Sequence, residues 1–131
     1  MATVSREKIK VRGFKRFVNS FKYSLQGLKY AYKYEQSMTI HFFAVVAVVS
    51  LGIWLNISLF EWLVCLILFG LVMATELLNT SIEAVVDLTC PEVHPLAKIA
   101  KDTASAAVFV FSIVAAISGL IIFIPKIIAL F

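Results

Sequence analysis

Cysteine, glycine and charged residues are all scarce in this chain of 131 residues, and each scarcity removes a class of answer. The two cysteines, Cys65 and Cys90, stand alone; without a C-x-x-C pair they indicate neither a zinc site nor a disulfide framework, and read as a packing residue and an incidental thiol. The glycines, Gly13, Gly27, Gly52, Gly70 and Gly119, are scattered. No G-x-x-x-x-G-K-[ST] run and no kinase glycine-rich loop is therefore available to cradle phosphates. No secretory signal peptide is visible, because the first long apolar run begins only near Ile40. The sequon Asn56-Ile57-Ser58 falls in an expected tight turn and carries no weight. Charged residues make up only 15% of the chain and hydrophobic ones 61%, against about a quarter and about half in soluble domains. With a mean hydropathy of +0.94, the chain reads as one membrane domain over residues 1–131, with no internal repeat, low-complexity linker or second domain.

What is there is sharply distributed. Nine of the twelve Lys and Arg residues precede residue 34, which fits a headgroup-facing cytoplasmic segment better than a nucleic-acid surface. In the same region Phe14, Phe17, Val18, Phe21, Leu25, Leu28 and Tyr32 recur at helical spacing. The spacing predicts an amphipathic surface helix over about residues 5–33, with Arg12, Lys15, Arg16, Lys22, Lys29 and Lys33 off the apolar face. A membrane-surface anchor explains it, yet Arg12, Arg16, Asn19 and Tyr23 share the opposite face, where they can meet a phosphate or nucleobase. Three apolar spans follow, at about 38–57, 59–87 and 95–124. Ser37 is a candidate cap for the first, unless the surface helix bends there into the membrane. His41 reads as an interfacial hydrogen-bonding residue. Glu35 is either a surface counter-ion for Lys29 or Lys33 or a functional acid. The short link from Asn56 to Glu61 carries no Lys or Arg and should be external, with Trp54 and Trp62 as an outer aromatic belt. The loop Thr89–Pro95 is internal, and His94-Pro95 reads as the start signal of the next helix. The third span begins with Lys98, Lys101, Asp102 and Ser105 on one face. It then places Ala104, Ala106, Ala107, Ala115, Ala116 and Gly119 at expected helix contacts. Pro125-Lys126 closes it outside. The predicted fold is all-α, an amphipathic surface helix plus three transmembrane helices, N-terminus in and C-terminus out. A chain this small has little interior for a polar site, so a helix-packed oligomer is expected.

Within the second span Glu76, Asn79, Glu83 and Asp87 form a polar stripe. Relative to Glu76 the other three fall at about −60°, −20° and +20° on a helix turning about 100° per residue. A carboxylate in the bilayer costs at least roughly 2.5–3.5 kcal/mol, so Glu76 and Glu83 call for a compensating metal, cation or proton path. Glu76 lies roughly 10 Å deeper than Glu83, too far for both to chelate one ion directly within a protomer. The deeper acid suits a group presented from the lipid layer; Glu35, Glu83, Asp87 and Asp102, with nearby cations, suit a divalent metal and a polyphosphate. These residues by themselves fit a membrane-embedded enzyme, an ion or proton pathway, or a small assembly protein equally well.

The run Glu76-Leu-Leu-Asn79-Thr-Ser-Ile-Glu83-Ala-Val-Val-Asp87 resembles the signature of the prokaryotic diacylglycerol kinase family. His94-Pro-Leu-Ala-Lys-Ile-Ala-Lys101-Asp102-Thr-Ala-Ser105-Ala-Ala-Val is similar to its third-helix motif, in the wording of the Gram-positive branch that acts on undecaprenol. The likeness runs colinearly from about Arg16 to Val110. It implies a homotrimer in the bacterial inner membrane, with active sites between subunits on the cytoplasmic side. The implied reaction is transfer of the ATP γ-phosphoryl group, with Mg²⁺, to a lipid hydroxyl. The expected acceptor is undecaprenol, with diacylglycerol as the alternative and a non-enzymatic ion pathway or assembly protein as the alternative of another class. Carried over by position, Glu76 matches the general base, and Glu35 and Glu83 the metal pair. Arg16, Tyr23, Glu35, Glu83, the loop Glu92-Val93-His94, Lys101 and Asp102 match ATP contacts. Asn79 and Asp87 match supporting polar positions, and Ser105, with Glu76, the lipid side. The run Glu35-Gln-Ser-Met-Thr39-Ile-His41 departs from the family's acid-x-Asn-x-Arg-Ile-His pattern, with Thr39 in place of the arginine.

Overall fold

The computed structural model describes residues 13–131. The start of the expected surface helix at about residue 5, and Arg6, Lys8, Lys10 and Arg12, lie outside the described residues. Four helices follow one another: α1 Phe14–Tyr34, α2 Gln36–Trp54, α3 Leu59–Thr89 and α4 Pro95–Ile128. The last three are each long and apolar enough to cross a membrane. No strand occurs among the described residues.

A single residue separates α1 from α2. Glu35 is extended (φ −97°, ψ 116°), and its N–H still bonds to the Ala31 carbonyl at 2.8 Å. The chain therefore turns without a loop, and Ala31 and Met38 are buried on either side of the elbow, Met38 at 0% exposure. Ser37 caps nothing: the N-cap of α2 is Glu35, with no side-chain cap. Of the two ways the sequence offered into the first span, the direct bend is the one taken, because the last turn of α1 satisfies the Glu35 N–H and leaves no room for a separate capping turn. The apolar face of α1 is not covered by the described residues, Phe14 being 81% exposed and Phe21 60%, and so is open to lipid or another subunit.

The far end is built more tightly. α2 stops at Trp54, Asn56 takes a positive φ of 47°, and the Ile57 N–H returns to the Gly52 carbonyl at 3.1 Å. Ser58 then opens α3 through a reciprocal capping box: its N–H donates to Glu61 Oε2 at 2.6 Å, and the Glu61 N–H donates to Ser58 Oγ at 3.3 Å. Such a box satisfies two of the amides left over at a helix start. Glu61 also pairs with Lys126 of α4 at 3.2 Å, tying the start of α3 to the end of α4. Beneath lies a small core of Ile57, Ile122 and Phe123, flanked by Leu51, Trp62 and Cys65 among others. Cys65 is thus a packing residue, and both cysteines are free thiols.

Three features differ from the sequence pattern. Trp62 is half-buried on the α2 backbone, unlike Trp54, which stays exposed as an interfacial ring would. Pro125 does not end the last span; α4 continues through it to Ile128, since the apolar Ile127 still packs against the core. Of the small residues on α4, Ala104 is buried and Ala115 and Gly119 half-buried, while Ala106, Ala107 and Ala116 are exposed because one helix face meets α3.

The Trp62 ring rests where a side chain on Gly52 would stand. A Cβ there would lie 2.6 Å from Cη2 and 2.8 Å from Cζ2 of Trp62. Alanine gains about 0.5–1 kcal/mol of helix preference over glycine, but overpacking costs about 1–3 kcal/mol. Gly52→Ala should therefore lower the thermal midpoint of the purified protein in detergent. In a Trp62→Leu background the same change should cost less, or stabilise.

Candidate polar site between α2, α3 and α4

Glu76 is the one charged side chain that is buried among the described residues, at 5% exposure. It sits midway along α3, and its Oε1 lies 2.9 Å from Nε2 of His41 on α2. A hydrogen bond to a charged group contributes roughly 1.5–3 kcal/mol, the same order as the roughly 2.5–3.5 kcal/mol that a carboxylate costs in a bilayer. One donor thus offsets much of what burial takes. Beside the pair is an open hollow of about 370 Å³ lined by Ser37, His41, Glu76, Asn79, Ser105 and Ser112, with Val108 and Phe109 as its apolar edge. Ser105 and Ser112 are seven residues apart, which places both on one face of α4.

The stripe continues along α3 one turn at a time. Asn79 donates from Nδ2 to Glu83 Oε1 at 3.2 Å, and its Oδ1 is buried without a partner. A buried acceptor without a partner is an oxygen that suits a hydroxyl, a water or a hard cation. Asp87 reaches across to α4, where Lys101 Nζ donates to Oδ1 at 2.6 Å. Lys98 and Asp102 instead pair with each other along the exposed side of α4. The face predicted for Lys98, Lys101, Asp102 and Ser105 is therefore split three ways: Ser105 into the hollow, Lys101 toward Asp87, and Lys98 with Asp102 outward. At four residues apart that last pair closes within one helix more readily than across to another.

Not every predicted site residue joins this group. Glu35 is half-buried at the α1–α2 elbow, and no hydrogen bond or ion pair among the described residues joins it to Glu83. Arg16 and Tyr23 are exposed on α1, and Glu92 and Val93 are exposed in the α3–α4 loop. His94, also exposed, acts locally as the N-cap of α4: its Nδ1 accepts the Leu96 N–H at 3.2 Å, and Pro95 follows in the first turn. Among the described residues no group of three or more His, Cys, Asp or Glu side chains is placed to hold a metal within one chain.

From the sequence alone His41 has only an interfacial role, and Ser112 is not among the candidate residues. The available signal was spacing: Ser37 and His41 are four apart, as partners on one helix face are, and both line the hollow. A second cavity, of about 240 Å³, lies toward the Trp62 end between the same three helices. Its lining is apolar apart from His41, Ser118, Cys65 and the Trp62 ring edge. His41 borders both spaces, and so marks the change from polar to apolar lining.

A family model described as prokaryotic diacylglycerol kinase matches residues 22–123, a span that contains every residue of the hollow. The chain is 41% identical over 111 residues to the undecaprenol kinase of Bacillus subtilis (strain 168), covering 85% of this chain and 90% of that one. It is 40% identical over 112 residues to a diacylglycerol kinase of Synechocystis sp., covering 85% of this chain and 64% of the relative. A diacylglycerol kinase of Haemophilus influenzae is 41% identical over 101 residues, covering 77% and 86%. The buried acid, the helices around it and these matches agree: the chain belongs to the prokaryotic diacylglycerol kinase family.

Proposed function

We propose that this membrane protein transfers the γ-phosphoryl group of ATP to a lipid alcohol, with undecaprenol as the acceptor ahead of diacylglycerol. The observation that carries the reading is the buried Glu76 carboxylate at the wall of a polar hollow that borders an apolar cavity. That arrangement suits a molecule whose hydroxyl is polar and whose remainder is hydrocarbon. The identity to the Bacillus undecaprenol kinase supports undecaprenol; the diacylglycerol kinases among the relatives support the runner-up. An ion or proton pathway is less well served. Beyond His41 the cavity toward the Trp62 end offers Ser118, Cys65 and the Trp62 edge as its only polar side chains, too few to carry a charge onward.

In this reading Glu76 is the general base. A lipid alcohol has a pKa far above 7, so the acid need not deprotonate it in advance. It orients the hydroxyl and accepts its proton as the bond to phosphorus forms. Ser105 and Ser112 offer hydroxyls to the acceptor on the α4 side of the hollow. Asn79 and Asp87 support the site through their bonds to Glu83 and Lys101. Lys101, Asp102, Arg16, Tyr23 and the loop Glu92-Val93-His94 are assigned to the nucleotide, with Glu35 and Glu83. Mg²⁺ fits the donor chemistry, since Glu83 and the unpartnered Asn79 Oδ1 are hard oxygen ligands, and Mg²⁺ needs only one or two carboxylates when phosphates and water complete its shell. When bound it would supply charge neutralisation on the β- and γ-phosphates.

Among the described residues no hydrogen bond or ion pair joins Arg16, Tyr23 or Glu35 to Glu83, and Arg16 and Tyr23 are exposed, which supports a site completed by a second subunit, here a homotrimer. The apolar face of α1, exposed among the described residues, supports the same assembly. The basic first segment supports an inward N-terminus, with the site at the cytoplasmic face of the bacterial inner membrane and the C-terminus outside. Residues 1–131 then form one lipid-kinase domain.

Purified protein in mixed micelles with Mg-ATP should phosphorylate a C55 prenol faster than shorter prenols or diacylglycerol, read as labelled lipid. No product with any acceptor would sink the enzyme reading, and equal rates would sink the ranking. Glu76→Gln should lower kcat by about 10²–10⁴-fold, the range typical for a lost general base, with Mg-ATP binding retained. Glu83→Gln should weaken Mg-ATP binding in the same calorimetric titration. Full turnover by Glu76→Gln would remove the base assignment.

A further inference from the structure

Glu76 does not act alone in its hollow, and the reason lies in what its partner must be doing. With Glu76 ionised its carboxylate is an acceptor only, and the 2.9 Å contact is then made by the His41 tautomer whose Nε2 carries the hydrogen and donates it to Oε1. The second oxygen accepts no hydrogen bond from the described residues. The two oxygens are thereby made unlike: one is tied to α2 and the other is left for a ligand. The tie joins residues 35 positions apart, so it fixes the carboxylate relative to a second helix and not merely to its own turn. His41 also stands where the polar hollow gives way to the apolar cavity. This is where a lipid alcohol would exchange hydrocarbon for hydroxyl.

We propose that His41 is a positioning residue for phosphoryl transfer, holding Oε1 of Glu76 so that the second carboxylate oxygen meets the lipid hydroxyl. The inference rests on the lipid-kinase reading and adds a residue to it. In the step, the lipid O–H bond breaks and the oxygen bonds to the γ-phosphorus. The bond from that phosphorus to the β–γ bridging oxygen breaks with its electron pair, leaving ADP, and the proton goes to the free oxygen of Glu76. Oε1 stays an acceptor whether Glu76 is ionised or protonated. The His41 hydrogen bond therefore persists through the reaction and needs no change of charge on the ring. Misplacement by about 1 Å can cost on the order of 100-fold in rate, so loss of this tether should appear in kcat.

The test compares His41→Met, which keeps bulk and removes the donor, with His41→Gln, whose amide N–H₂ restores a donor at similar reach. Undecaprenol and diacylglycerol are each presented in mixed micelles with Mg-ATP. His41→Met should lose about 10- to 100-fold in kcat, with KM for nucleotide and lipid little changed, and His41→Gln should recover most of that loss. Unimpaired kcat in His41→Met, a change confined to KM, or an equal loss in His41→Gln would each overturn the positioning role while leaving the kinase reading intact. Wild-type protein inactive on both lipids would overturn both together. A readout that needs no turnover is ¹⁵N NMR of histidine-labelled protein. The side-chain signal missing from His41→Gln identifies His41, and its Nε2 resonance should move in Glu76→Gln. An unmoved resonance would overturn the pairing, even if the kinetic variants prove too unstable to assay.

Discussion

The hydrogen bond between His41 and Glu76 is the constraint on which the arrangement of this protein depends. A carboxylate at 5% exposure in an apolar bundle is tolerable only if a donor meets it. The donor comes from a different helix, so the chemical requirement of one side chain becomes a requirement on the register of α2 against α3. A shift of one residue along α2 would rotate His41 by about 100°, leaving the acid without its partner.

The opposite end of the bundle holds that register. Gly52 lets the Trp62 ring lie on the α2 backbone, and the positive φ at Asn56 and the Ser58–Glu61 box complete the return in a few residues. Glu61 then reaches Lys126, so α4 is tied at the same level. Further along α3 from Glu76, the Lys101–Asp87 pair joins α3 to α4 again. Partly exposed pairs of this kind contribute little energy, about 0–1 kcal/mol, and their value here is geometric. They keep Ser105 and Ser112 facing the hollow that Glu76 borders.

One chain therefore carries a formed polar hollow, with His41, Glu76, Ser105 and Ser112 around a shared space, which the proposed reading gives to the lipid acceptor. The groups assigned to the nucleotide are spread over α1, the elbow, α3, the α3–α4 loop and the start of α4, most of them exposed. The physical asymmetry follows from the two media. A lipid hydroxyl must be met inside an apolar bundle, where each polar group needs a built partner. Phosphates come from water, where long charged side chains can remain solvated until the ligand arrives.

The four-helix organisation was legible because the signals are local: the apolar spacing of α1, three long hydrophobic runs, and His94-Pro95 at a helix start. The stripe Glu76, Asn79, Glu83, Asp87 was legible for the same reason, since four residues on one helix have angular positions fixed by its pitch. The colinear motifs in α3 and α4 carried the family. What spacing does not contain is the partner of each polar group across helices. That Trp62 covers Gly52, that Lys101 turns to Asp87 while Lys98 takes Asp102, and that α4 runs past Pro125 all depend on which faces pack together. By itself the sequence determined that a costly acid lies in an apolar helix and needs compensation. Only the tertiary structure decided that His41 supplies it, because a hydrogen bond of 2.9 Å between residues so far apart in the chain exists only once two helices are docked in one register.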